Sequence, residues 1–166
     1  MIDAAFVRTM ARYNTWQNDN IYAAAETLSA AERSAGRGAF FGSIHGTLSH
    51  LLWGDQMWMS RFSTCPKPDV GIGESASFVV DWAELVRRRH ALDAEIQTWA
   101  DGLTSEWLSG HLEWYSGAAQ KHLRHERALL VAHFFNHQTH HRGQVHAMLT
   151  AAGAKPGDTD LMLLDA

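Results

Sequence analysis

Residues 133–146 read HFFNHQTHHRGQVH. His133, His137 and His141 follow one another at steps of four, and a helix turns about 100° per residue, so each step moves only about 40° around the axis. One face of a helix is therefore lined with imidazoles. The pattern extends back to about His125 or Glu126 and forward to Ala152, where Gly153 suits the C′ position and Pro156 blocks continuation. This is the fourth long helix of the chain.

Working outward, Pro66, Pro68 and Pro156 fall in two short segments that also carry glycine, so long proline-free stretches remain between them. From Asp3, an N-cap residue, to about Leu28, the positions Phe6, Met10, Tyr13, Ile21, Ala24 and Leu28 recur at helical spacing. Ala30–Gly42, with Gly36, Gly38 and Gly42, reads as a loop. Ser43 then caps a second helix running to about Phe62, with Leu48, Leu51, Leu52, Met57 and Trp58 on its apolar face. Ser63–Ser77 lacks periodicity and reads as a crossover loop long enough to make the second and third helices parallel.

The third helix, Phe78–Ala100, places Trp82, Leu85, Leu92, Ile96 and Trp99 on one stripe, and Arg89 lies within that stripe. Gly102–Lys121 is poorly patterned, with Leu112–Ser116 as a short extended piece. Asp160–Leu164 reads as a terminal turn that docks its leucines on the core. The expectation is an all-α four-helix bundle with a long crossover between helices two and three, and a single domain over residues 1–166.

Composition narrows the function. The chain has 166 residues, 46% hydrophobic and 19% charged, which fits one domain with a sizeable core. A net charge of -4 argues against a broad cationic surface for nucleic acid. Cys65 is the only cysteine, which excludes an intrachain disulfide framework and any site built from several thiolates. A reducing, cytoplasmic setting is the expectation. No apolar run approaches bilayer length, and Asp3 and Arg8 interrupt the N-terminus where a secretion signal stays apolar, so a soluble, unprocessed chain without membrane partners is expected.

Of 11 histidines, seven lie between His122 and His146. Two histidines at i, i+4 can aim ring nitrogens at one cation, with a third ligand supplied by another helix. On the second helix the candidate is His50, one turn before Gly54, which leaves room for a close neighbour or substrate. Three imidazoles facing a core would each need a partner, since an unpaired buried polar group costs about 1–3 kcal/mol. A solvent-facing histidine row fits the same periodicity, and helical spacing alone permits His140 as readily as His141. Lone histidines such as His90 and His111 are read as ordinary surface or core residues.

The segments ARYNTWQNDNIY, SIHGTLSHLLWGDQMWMSRF, WAELVRRRHALD, NHQTHHRGQVH and the closing GDTDL resemble, in order and over nearly the whole chain, the DinB/YfiT-like family of damage-inducible metalloproteins. The resemblance implies a four-helix bundle of up-down-down-up type, often a homodimer, with one divalent metal held by three histidines. The matching positions are His50, His137 and His141; His141 is favoured over His140 because it directly precedes Arg-Gly-Gln. Zinc, nickel or ferrous iron suits three neutral imidazoles. Relatives that act as S-transferases or isomerases on low-molecular-weight thiols imply a metal-dependent enzyme pairing a small-molecule thiol, or water, with a small electrophile. A noncatalytic metal-binding stress-response bundle and a metal-dependent hydrolase are the alternatives, and a plain helical interaction protein is the third class.

Several other residues bear on the reading. Gln17 and Gln144 could bind a ligand or orient a histidine. Arg89 with Asp93 reads first as a structural ion pair, as do Asp55 and Arg142 as structural positions. The tryptophans are read as core and dimer surface. Residues 71–76 loosely fit a dinucleotide fingerprint but follow a proline loop and no strand. No glutamate precedes a histidine by three positions, which removes the di-iron bundle signature. Cys65 has no motif around it.

Overall fold

Four long helices carry most of the chain: α1 (Ala4–Glu26), α3 (Ile44–Phe62), α4 (Trp82–Asp101) and α6 (Arg127–Ala151). The computed structural model describes residues 1–117 and 119–164. Each of the first three long helices starts where a short polar side chain takes over an orphan backbone donor: Asp3 accepts from Phe6 N, Ser43 from Gly46 N and Asp81 from Glu84 N. At the far end of α6, Gly153 adopts φ +83°, the left-handed conformation that ends a helix without a Cβ clash. Among the described residues no helix is long and apolar enough to cross a membrane.

Side-chain contacts fix the relative directions of the helices. Phe6 meets Phe135 and Asn14 meets Arg142, so α1 and α6 run the same way. Asp55 pairs with Arg89 and Phe62 with Trp99, so α3 and α4 also run together. Asn14 and Asn18 reach Asp93 while Tyr22 stacks on Trp82, which sets α1 against α4. His50 facing His141 and Phe62 facing Phe134 likewise set α3 against α6. Val7, Leu48, Leu85, Ile96, Phe134 and Leu149 are buried where these four helices meet.

A plain four-helix bundle is too simple a description. Ala30–Ser34, within the expected loop, forms the short helix α2, closed by a capping box between Ser29 and Glu32. The crossover contains a 3₁₀ turn, Ile72–Ser77, and α4 begins at Trp82, later than Phe78, because Asp81 supplies its cap. Between α4 and α6 lie α5 (Ser105–Ser109) and an antiparallel hairpin, β1 (His111–Ser116) with β2 (Lys121–Glu126). The extended piece expected at Leu112–Ser116 is thus half of a two-stranded sheet. Its Trp114 packs edge-on to Trp58, which fastens the hairpin to α3.

The C-terminal segment also departs from expectation. Leu161–Leu163 is a 3₁₀ turn, but Leu161 and Leu163 stay exposed and do not dock on the core. Polar contacts hold the preceding strand of chain: the Tyr13 hydroxyl donates to Thr159 O at 2.6 Å and Gln17 Nε2 to Asp158 O at 2.8 Å.

Candidate metal centre

Antiparallel packing of α3 on α6 brings His50 against His137 and His141, and one ring nitrogen from each lies within 4.8 Å of the other two. Close approach depends on Gly54. A Cβ at that position would lie 2.8 Å from His137 Cε1, so the absent side chain is what admits the imidazole. His50 and His141 are buried, at 3% and 7% exposure, and His137 is half-buried.

Hydrogen bonds orient two of the three rings. The Ser75 hydroxyl donates to Ile72 O at 2.6 Å, so the same oxygen accepts from His50 Nδ1 at 2.9 Å. His50 therefore carries its proton on Nδ1 and presents an Nε2 lone pair, which faces His137 Nε2 at 3.4 Å. Gln144 Oε1, an acceptor, sits 2.9 Å from His141 Nδ1 and fixes the same tautomer there. His137 Nδ1 is buried without a hydrogen-bond partner among the described residues.

Protonation is disfavoured throughout the cluster. Burial, then repulsion from His141, holds His50 down at about 4. Burial and the surrounding histidines hold His137 at about 3, and burial lowers His141 as well. Near neutral pH the cluster is three uncharged imidazoles with convergent nitrogens, and such a set is capable of coordinating a divalent metal. Phe41 closes one side, its ring stacked on His50 with centroids 3.6 Å apart, and Trp53 stacks on His50 from another side at 5.9 Å.

The remaining expected residues sort by position. His133, one turn before His137, meets Trp58 where α3 no longer offers a histidine. His140 stands outside the trio, its Nε2 3.2 Å from Gln144 Nε2. Gln144 thus serves the centre, whereas Gln17 holds the C-terminal segment and takes no part in it. Arg89 is fully buried and bridges Asp55 at 2.7 Å and Asp93 at 2.8 Å, as a structural ion pair should. Burial pushes the Cys65 thiol up to about 12, which makes it a poor nucleophile. Ser75 and Phe41 carry no periodic sequence signal; they sit in irregular segments and reach His50 only through the fold.

A family model described as the DinB family matches residues 1–166. No curated protein and no solved structure matches the chain.

Proposed function

Since the chain belongs to the DinB family, we propose that His50, His137 and His141 hold one divalent transition metal, zinc or nickel first and iron next, in an enzyme that joins a low-molecular-weight thiol to a small electrophile. The single observation that carries this reading is the convergence of three neutral imidazoles, with no fourth histidine, cysteine or carboxylate in mutual reach among the described residues. Structural sites normally close with four protein ligands, while catalytic ones keep a position open. A cation in such a site supplies Lewis acidity, enough to activate a thiol or water near neutral pH.

The chain's own residues prepare that chemistry. Ser75 and Gln144 hold two imidazoles with Nε2 lone pairs inward, and Phe41 and Trp53 keep bulk water off His50. Hydrolysis at the same centre is the alternative reaction. Deep burial of His50 and His141 favours a second reading, a noncatalytic stress-response bundle whose metal is structural. A cytoplasmic homodimer completes the proposal.

Metal-replete protein without a histidine tag, screened with several small thiols against electrophiles and in parallel on a hydrolase panel, should show thiol-dependent turnover that His137→Ala abolishes. Turnover of esters or amides without thiol would assign hydrolysis, and a blank on both panels from metal-loaded protein would leave the structural reading.

A further inference from the structure

Arg61 stands out among the cations of the chain. Its guanidinium carbon lies 4.5 Å from the ring centroid of Trp58 and 5.4 Å from that of Trp114, so two aromatic faces hold it in place. No carboxylate or carbonyl among the described residues accepts from it, although burial depresses its proton affinity. An arginine stays charged at neutral pH, and a planar fork of donors without an acceptor is suited to a carboxylate. The other half-buried or buried arginines illustrate the contrast: Arg33 donates to Leu28 O, Arg88 to Gln56, and Arg89 to Asp55.

Arg61 also lines a cavity of about 500 Å³ between α3, the crossover and the end of β1. Trp53, Met57, Val70 and Ile72 give it apolar walls, Lys67 adds a second positive charge, and Asp69 is the one acidic group on its lining. That size and mixture suit a small ligand with an apolar body and few polar anchors. The cavity flanks the histidine row. Trp53 stacks on His50, the Arg61 charge helps lower His133, and Gly54, in contact with His137, lies about 10 Å back along the helix axis from Arg61.

We infer that this cavity is a binding subsite for a small organic acid, with Arg61 taking the carboxylate and Met57, Val70 and Ile72 covering the apolar body. The subsite stands on Arg61 and the cavity alone; its role in aiming the far end of the acid at the histidines rests on the metal-centre reading above.

Phenylacetate and its uncharged analogue phenylacetamide separate the two claims when titrated calorimetrically into full-length protein. Wild type should bind the acid at least tenfold more tightly than the amide, and Arg61→Gln should erase that preference. Arg61→Lys, which keeps the charge but not the fork, should lose at least threefold and serves if the glutamine variant does not fold. His50→Ala, which disables the histidine centre, should leave the preference intact. Equal binding of acid and amide, no binding of either, a preference that survives in both Arg61 variants, or one that follows Lys67→Ala would overturn the assignment. Loss of the preference in His50→Ala would overturn the independence of the subsite. Absence of metal from the purified protein would defeat the metal reading and leave the subsite standing.

Discussion

Gly54 decides whether the histidines can meet. Its Cβ position lies 2.8 Å from His137 Cε1, inside any normal carbon contact, so even a methyl group must push the imidazole away from His50. Gly54→Ala should lower metal affinity at least tenfold in a chelator competition and cost about 1–3 kcal/mol in urea unfolding. Gly143→Ala is the control, since a Cβ there meets nothing within 4 Å; it should leave metal affinity unchanged and, as a mid-helix glycine replaced by a better helix former, raise stability by about 0.5–1 kcal/mol. Equal affinities for both variants would show that the close approach at Gly54 does not matter. His137 and His141 were legible as a pair because i, i+4 spacing fixes their common face, but spacing left His140 equally eligible. The choice is made by rotation of α6: His141 is 7% exposed and bonded through Nδ1 to Gln144, while His140 points outward. Ser75 was not legible, because its contact with His50 joins residues 25 positions apart through an irregular turn.

The long helices were legible for a physical reason that the shorter elements lack. Burying one face of a helix repeats apolar residues over many turns, and the starts of α1 and α3 were marked by Asp3 and Ser43, whereas α4 was expected from Phe78 and begins only after its Asp81 cap. Strand β2 gives no comparable signal: only one of its residues is even partly covered, so KHLRHE lacks the alternation that marks a half-buried strand. Helix α2 was read as loop: Ser29 and Glu32 have the spacing of a capping box, but five residues between a turn and glycines show no periodicity. What joins the long helices is a buried polar layer. Asn14 and Asn18 from α1, Asp55 from α3, Arg89 and Asp93 from α4 and Arg142 from α6 form one connected network with two charges of each sign. Arg89 is fully buried, so removing it leaves two carboxylates facing each other in a dry core. Arg89→Met should cost about 3–5 kcal/mol in denaturant unfolding, and adding Asp55→Asn should restore part of that. A loss below about 1 kcal/mol for the single variant would mean that the network is not what ties these helices together.

At the scale of the molecule, the two parallel pairs, α1 with α6 and α3 with α4, set antiparallel to each other, place the histidine-bearing faces of α3 and α6 together and bury the polar layer among all four helices. The architecture turns two motifs 87 positions apart, at His50 and His137, into one cluster. The hairpin and crossover then wall the flank of α3, which is why the cavity at Arg61 opens beside the cluster and away from the polar layer. The claim on which the rest depends is that helix α3 and helix α6 share one metal ion. Elemental analysis of tag-free protein, read together with X-ray absorption at the metal edge, tests it directly. Close to one metal per chain is predicted, with imidazole nitrogens in its coordination shell, and both signals should vanish in His50→Ala. A protein that holds no metal, or a His50→Ala variant that retains it with an unchanged spectrum, would contradict the account.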